Sequence, residues 1–180
     1  KLDEVYSWNG VTDSVLKSLE EVIGKEKLKL ESFNNLSPFK KDELLKNILK
    51  DELNKDNNKL DQIASWIIQE WGGIRNGDND KDLIATSLEK LEEAEKSNSM
   101  EFPFERISSV SKVIGFKCPE KYIICDTRVC YAINWIILSQ EIVEKMFFPM
   151  PEGRNSKLNA FDINTIIRLK LKDKYSTQDI

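Results

Sequence analysis

Two ionisable residues occupy positions where a lysine and a carboxylate can act together. Lys112 lies between Val110 and Val113, close to the apolar side of a short helical pattern, and Asp126 begins a long one. A lysine removed from water has a lowered pKa and becomes a nucleophilic amine that forms a Schiff base with an aldehyde carbon. A carboxylate at a helix N-terminus stays ionised, because backbone N–H groups favour the anion, and it can stabilise a sugar cation. The two groups together suit cleavage of an N-glycosidic bond.

Each of these residues also has an ordinary structural interpretation. An aspartate at the start of a helix usually caps it by accepting backbone N–H groups, which contributes about 1 kcal/mol. A lysine at the edge of an apolar face usually extends its amine to water while its methylene groups stay buried. Lys117 and Lys121 are alternative amines, and we rank them lower because we expect them in an exposed loop.

The composition excludes several catalytic classes. The chain contains no histidine, which removes Ser-His-Asp and Cys-His hydrolases and His-ligated zinc or iron sites. Three cysteines, Cys118, Cys125 and Cys130, have a spacing that fits neither a disulfide framework nor a Cys-x-x-Cys metal site. We interpret them as reduced thiols that pack as small apolar residues in a cytoplasmic protein. No apolar run reaches the length of a membrane-spanning helix, so we expect no membrane partner.

The charge balance gives a mixed indication about nucleic acids. The net charge is −4, whereas nucleic-acid-binding proteins more often have a basic face. The charge is unevenly distributed, and residues 101–180 carry 12 Lys and Arg against 10 Asp and Glu. We therefore expect a polyanion to contact this half of the chain, although a solvated charged face is the simpler interpretation. The candidate DNA-binding residues are Arg128, Arg154, Asn155 and Lys157.

The elements that must position these residues are helices. Apolar residues recur at helical spacing from Val11 to Ile23, after Ser37-Pro38, and from Leu60 to Trp71. Proline after a serine cap is typical of a helix start, and Gly72-Gly73 is typical of a helix end. The sequence predicts four further helices. The first begins at Asn79 or Asp80, the second runs from about Pro103 and is ended by Gly115, the third runs from Thr127 to about Lys145, and the last runs from about Ala160 to Leu171.

Nothing in the chain indicates a sheet. No pair of alternating, β-branched runs flanks a hairpin turn. The sequence therefore predicts a single all-α domain over residues 1–180, and if that domain has two lobes, we expect them to meet near residues 72–80.

The segment that contains both ionisable residues resembles a known family. Residues 111–129 read SKVIGFKCPEKYIICDTRV. This stretch resembles the helix-hairpin-helix DNA glycosylase superfamily, and it is most similar to divergent bacterial proteins with an 8-oxoguanine DNA glycosylase fold. In that superfamily a lysine early in one helix is followed by a loop and an aspartate that opens a long helix, and Lys112 and Asp126 match these positions. The similarity covers residues 106–157, including Phe148-Pro149 and Gly153-Arg154-Asn155.

The resemblance also shows where this chain departs from the family. The family has a Gly-hydrophobic-Gly hairpin ahead of the lysine, whereas residues 106–111 read RISSVS. Lys112 and Asp126 are 14 residues apart, where the superfamily usually has several more. The fold implied is helix-hairpin-helix glycosylase-like with a degenerate hairpin.

The resemblance implies base-excision chemistry on DNA. Lys112 would be the amine nucleophile and Asp126 the carboxylate partner, acting on a nucleotide extruded from the duplex, with or without a β-lyase step and without a metal or organic cofactor. Trp66, Trp71 and Trp135 could stack on the extruded base, although a tryptophan on a helix stripe is usually part of a core. The alternative is a non-catalytic module on the same scaffold that binds nucleic acid or protein, as in phage-defence or toxin-type systems.

Overall fold

The computed structural model of this protein shows helices joined by turns and irregular segments. The structure describes residues 8–55, 58–74, 80–97, 106–140, 147–151 and 156–171. No strand occurs in these ranges, so the all-α class predicted from the hydrophobic pattern is confirmed. Among the same residues, none of the helices combines the length and the apolar character that crossing a membrane requires.

The described residues divide into two compact units. The first contains residues 8–97 and 109–123, and the second contains residues 106–108 and 124–171. Residues on both sides of the junction expected near 72–80 belong to the first unit. The prediction of a single domain stays a prediction.

The helices of the first unit begin largely where the sequence predicts. They are α1 (Asp13–Ile23), α2 (Pro38–Leu53), α3 (Leu60–Trp66), α4 (Asp80–Ser97) and the part of α5 (Ile107–Lys117) from residue 109 onward, with a short 3-10 turn at Leu30–Phe33. Thr12 caps α1 by accepting the N–H of Val15, and Ser37 caps α2 by accepting the N–H of Lys40. The expected helix starts at Asn79 and Pro103 lie outside the described residues.

The apolar stripes of these helices form one core. Each helix contributes residues spaced three or four apart, which share a face and leave water together. The largest fully buried side chains of this core are Leu19, Leu28, Phe33, Leu45, Leu49, Leu53, Ile63, Ile67, Ile68 and Phe116. Removal of this apolar surface from water is the main force that holds the first unit together.

The second unit contains α6 (Thr127–Ser139), α7 (Ser156–Ala160) and α8 (Ile163–Leu171). Its core consists of Leu138, Phe147, Ile163 and Ile167. Helix α6 ends at Ser139, earlier than expected, and Lys145 lies outside the described residues.

The last helix differs from the prediction because an aspartate interrupts it. The pattern predicted one helix from about Ala160 to Leu171, but the chain leaves the helix at Phe161 and starts again at Ile163. Asp162 begins α8 by accepting the N–H groups of Asn164 and Thr165 and, at 2.7 Å, the hydroxyl of Thr165. The hydrogen bond from the Thr165 side chain lowers the pKa of Asp162. An Asp at this position competes with helix continuation, since its carboxylate satisfies the first N–H groups of a new helix.

Glu52 is a buried carboxylate that forms ion pairs with two lysines of the first unit. Glu52 is only 3% exposed, and its two oxygens accept Lys27 Nζ at 2.6 Å and Lys55 Nζ at 2.5 Å. Burial by itself raises the pKa of Glu52, but the hydrogen bonds from Lys27 and Lys55 outweigh burial and lower the pKa from its ordinary value. The fold therefore favours the ionised form. The resulting stability is present above the unfolded-state pKa of about 4.3 and is lost as the pH falls through the lower folded-state pKa.

We expect Glu52→Gln to reduce the free energy of unfolding at pH 7 by about 1–3 kcal/mol, because two charge-assisted hydrogen bonds weaken in a buried place. Urea denaturation measures this change, and the difference from the parent protein should shrink as the pH is lowered through the folded-state pKa. Glu43→Gln is the control, because its ion pair with Lys40 has both side chains 50% exposed and should change stability by less than about 0.5 kcal/mol. Equal effects of the two substitutions would contradict this role of Glu52.

Candidate active site

Lys112 lies on a helix that is buried on every side. In α5, the eight successive residues from Ser109 to Phe116 are all buried. A surface helix would expose its polar residues, but here Ser109, Ser111 and Lys112 are all inside, and Lys112 is only 6% exposed. The side chain therefore does not extend freely into water, as a lysine at the edge of an apolar face usually does.

Helix α5 continues through Gly115, and the prediction that this glycine ends the helix is wrong. The N–H of Cys118 donates to the carbonyl of Ile114 at 2.8 Å, which closes a regular last turn after Lys117. A glycine ends a helix when it adopts the left-handed conformation. In the described residues the glycines with positive φ are Gly24 and Gly73, and Gly115 keeps a helical backbone.

A left-handed residue does precede α5, although it is not a glycine. Arg106 has φ +53°, immediately before the helix begins at Ile107. Glycine adopts this conformation at no steric cost, whereas a residue with a Cβ is strained there. Arg106 lies where the family resemblance would place the glycine hairpin. The chain therefore adopts a left-handed conformation there with a residue type that disfavours this conformation.

Gly72 accommodates the methylene chain of Lys112. Helix α3 continues as a π-helical turn over Ile67–Trp71, and the N–H of Gly72 donates to the carbonyl of Ile67 at 2.9 Å. A Cβ at position 72 would lie 2.9 Å from Lys112 Cδ and 2.7 Å from the carbonyl oxygen of Ile68. Only glycine leaves room for both. The helix end predicted at Gly72-Gly73 is confirmed. Gly72 also allows the close approach of a buried lysine, and this second role has no signature in the sequence.

Two of the three tryptophans considered for base stacking are held in the first unit by packing and hydrogen bonds. Trp66 is 4% exposed and donates Nε1–H to Ser18. Trp71, on the π-helical turn, packs edge-on against Phe116 with ring centroids 4.8 Å apart and donates to the buried Asp42. Trp135 on α6 is 48% exposed. Of the three, Trp135 alone presents an open ring.

The two alternative amines differ from Lys112 in their surroundings. Lys117 is the last residue of α5 rather than part of a loop, and its half-buried amine lies 3.5 Å from the carbonyl of Leu53. Lys121 lies in an exposed turn, as expected. Burial therefore distinguishes Lys112 from both.

Asp126 caps α6, as the sequence predicts. Its backbone is extended, with φ −120° and ψ 171°, and its Oδ1 accepts the N–H groups of Arg128 and Val129, both at 3.0 Å. The helix it begins extends past Ile137 to Ser139. Both of these hydrogen bonds go to Oδ1, so this oxygen of the carboxylate anchors the start of the helix.

The stretch before Asp126 is less buried than its apolar residues suggest. Residues 122–126 have no regular secondary structure, and Ile123 is 65% exposed. The apolar character of Ile123 alone would suggest a buried side chain, and the structure exposes it, whereas the helix begins directly after Asp126, as predicted.

The candidate phosphate contacts are only partly described. Arg128 is exposed on the first turn of α6, and Lys157 is exposed on α7. Arg154 and Asn155 lie outside the described residues. Asp126, Arg128 and Lys157 belong to the second unit, whereas Lys112 belongs to the first.

Comparison with known proteins adds no relative. No protein-family model, curated protein or solved structure matches this chain. The resemblance to the glycosylase superfamily therefore stays a prediction, and any function has to be argued from the residues themselves.

We expect Gly72→Ala to lower the free energy of unfolding by about 1–3 kcal/mol, because the added Cβ meets both a backbone carbonyl and the stem of Lys112. Gly73→Asn is the control. Gly73 has φ +62° with nothing within 4 Å of an added Cβ, and asparagine tolerates this conformation, so its cost should stay below about 1 kcal/mol. Denaturant unfolding of both variants measures the difference, and an unchanged Gly72→Ala protein would show that the contact is not restrictive.

We expect Asp126→Ala to cost about 1 kcal/mol of stability, since two N–H groups at the start of α6 lose their acceptor. Asp126→Asn keeps an oxygen in the same place and should stay within about 0.5 kcal/mol of the parent protein. Thermal and urea unfolding followed by circular dichroism measure both changes. An unchanged stability of the Asp126→Ala protein would mean that the cap does not stabilise the helix.

Proposed function

We propose that this protein is a DNA base-excision enzyme that cleaves an N-glycosidic bond with Lys112 as its nucleophile. The observation that carries the proposal is the burial of Lys112, which is 6% exposed on a helix with no solvent face. A buried amine is held in one place and shielded from bulk water, and an amine so placed can act as a nucleophile toward a sugar carbon.

The proposed reaction begins at the sugar. The Lys112 amine attacks C1′ and forms a C–N bond, while the bond to the base breaks and the base leaves with the electron pair and takes up a proton. One amine proton is passed to the departing base and the other to the ring oxygen as the C1′–O4′ bond breaks, which opens the sugar ring and gives an imine between Lys112 and C1′. Hydrolysis of the imine returns the lysine, whereas loss of a C2′ proton and departure of the 3′ phosphate before hydrolysis form a C2′–C3′ double bond and give the lyase product.

Asp126 has a different part in this proposal. Its Oδ1 is occupied by two backbone N–H groups, which hold the carboxylate in one orientation. A fixed anion of this kind stabilises positive charge that develops on the sugar, and in a site with little water such an effect reaches several kcal/mol. Arg128, exposed two residues later, is the proposed contact to a phosphate.

The alternative is a non-catalytic module that binds nucleic acid or protein. It is favoured by the net charge of −4 and by the absence of glycine in residues 106–111, where the family has its phosphate-binding hairpin. The two proposals differ in whether a covalent intermediate with DNA ever forms.

Borohydride trapping tests the proposal. Duplexes that carry an abasic site or an oxidised, alkylated or deaminated base are incubated with the protein and sodium borohydride, which reduces an imine to a stable protein–DNA adduct. We expect an adduct with at least one substrate, no adduct with Lys112→Met, and adducts retained with Lys117→Ala and Lys121→Ala. Methionine keeps most of the buried stem, and circular dichroism checks that this variant folds, because truncating a residue that is 6% exposed would leave a cavity. Asp126→Asn should slow adduct formation at least about 100-fold with little change in binding.

Several outcomes would contradict the enzyme proposal. An adduct that survives in the folded Lys112→Met protein would assign the chemistry to another amine. Binding of DNA without cleavage or adduct across the whole substrate panel would favour the nucleic-acid-binding alternative, especially if affinity falls steeply with salt. Absence of both binding and adduct at about 50 mM salt, where electrostatic binding is strong, would favour a protein-binding module.

A further inference from the structure

Two cysteines of the second unit lie close enough to react with each other. The sulfur atoms of Cys125 and Cys130 are 3.3 Å apart. Cys125 is the residue before the cap Asp126, and Cys130 is the fourth residue of α6. These are the two positions at which apolar side chains often pack together across a helix start and fix the direction from which the chain enters.

The backbone around this pair is held by the capping hydrogen bonds. Asp126 accepts the N–H groups of Arg128 and Val129 through its side chain, and its carbonyl accepts the N–H of Cys130 at 3.0 Å. The residues between the two cysteines thus have a fixed conformation that brings the sulfurs together. To reach a covalent S–S length of about 2.05 Å, the two sulfur atoms need to approach each other by about 1.2 Å.

We propose that Cys125 and Cys130 are a redox-reactive thiol pair that closes to an intramolecular disulfide by exchange with a small-molecule disulfide such as oxidised glutathione. In the first step the thiolate of one cysteine attacks a sulfur of the small molecule, forms a mixed disulfide and releases one thiolate. In the second step the other cysteine attacks the protein sulfur of that mixed disulfide and releases the second thiolate. The two released thiolates take up the two protons that the cysteines lose, so two protein thiols are oxidised and one small-molecule disulfide is reduced to two thiols.

The surroundings assign the order of attack. Cys130 is 1% exposed, whereas Cys125 is half-buried, so an external disulfide reaches Cys125 first. Burial, together with the neighbouring Cys125 and Asp126, raises the pKa of Cys130 to about 12. Cys130 therefore keeps its proton in the reduced protein and does not react with an external oxidant. Once Cys125 carries a mixed disulfide, it no longer contributes to the raised pKa of Cys130, and Cys130 gives up its proton as it attacks the sulfur held next to it, the proton passing to the thiolate that leaves.

This inference changes the interpretation of the cysteines as small apolar residues only. Cys125 and Cys130 do pack at a helix start, as apolar residues would, but the packing also places two thiols in contact. The proposal is independent of the proposed action on DNA, since it involves neither Lys112 nor a nucleic acid.

Peptide mapping tests the pair directly, because the sequence separates the three cysteines. Trypsin cleaves after Lys117, Lys121 and Arg128, so Cys118, Cys125 and Cys130 fall on the different peptides 118–121, 122–128 and 129–145. The full-length reduced protein is equilibrated under native conditions with excess oxidised glutathione, quenched with iodoacetamide and digested. We expect a disulfide-linked pair of the peptides 122–128 and 129–145, an intact protein lighter by two hydrogens before alkylation, and Cys118 absent from that linkage.

Three variants separate the proposed steps. Cys130→Ser should accumulate the glutathione mixed disulfide on Cys125, Cys125→Ser should form no linked peptides, and Cys118→Ser, the control, should form them as the parent protein does. The same treatment in urea, where the capped segment is unfolded, should lose the preference and allow Cys118 to pair as well.

Three results would overturn the proposal. In the first, both Cys125 and Cys130 of the treated native protein are still free thiols and become alkylated. In the others, Cys125 stays a glutathione mixed disulfide although Cys130 is present, or the linked peptides contain Cys118. The wild-type map decides these outcomes without any substitution, so a variant that fails to fold does not affect the result.

Discussion

Burial of helix α5 on every side is the constraint that the rest of the first unit has to satisfy. Polar groups on such a helix cannot depend on bulk water, so they must be placed among neighbours that fit them. Gly72 supplies the space for the stem of Lys112, and the π-helical turn of residues 67–71 brings Gly72 to that position. The residues that pack around Lys112 therefore leave it only 6% exposed.

In the second unit, structure and chemistry are concentrated at the start of α6. Asp126 satisfies two backbone N–H groups, and the residues on either side of this cap, Cys125 and Cys130, meet across it. Most of the hydrogen bonds that hold this arrangement are local to residues 125–130, and Thr127 adds one to the carbonyl of Pro151. Burial, the neighbouring Cys125 and the negative charge of Asp126 consequently all raise the pKa of Cys130.

The features that the sequence predicts correctly are those that nearby residues determine. Ser37 with Pro38 begins α2, and Asp126 caps α6. Gly72-Gly73 ends the helical segment of residues 60–71. In each case a short side chain or a glycine satisfies the backbone within a few residues. Asp162 belongs to the same class, and its signal was present in the sequence, since an Asp followed by a hydroxyl residue three positions later favours a new helix start.

The features that the sequence does not predict depend on residues that are distant along the chain. The burial of Lys112 involves Gly72, forty residues earlier, and no local pattern encodes this approach. The closeness of Cys125 and Cys130 is the intermediate case. The two cysteines are five positions apart on either side of a capping aspartate, and this spacing is a local signal that their side chains pack together. Comparing the cysteine spacing with known metal sites and disulfide frameworks does not detect this signal.

Asn134 carries a consequence for recognising relatives of this protein. Its side chain is fully buried on α6, and it donates to the carbonyl of Phe148 at 2.8 Å while accepting the N–H of Phe148 at 2.7 Å. Aspartate lacks the donor, leucine lacks both groups, and glutamine places them one methylene farther away. No other amino acid reproduces this doubly bonded anchor, so an asparagine facing an irregular segment is a feature that divergent descendants are expected to share after the rest of their sequences have ceased to align.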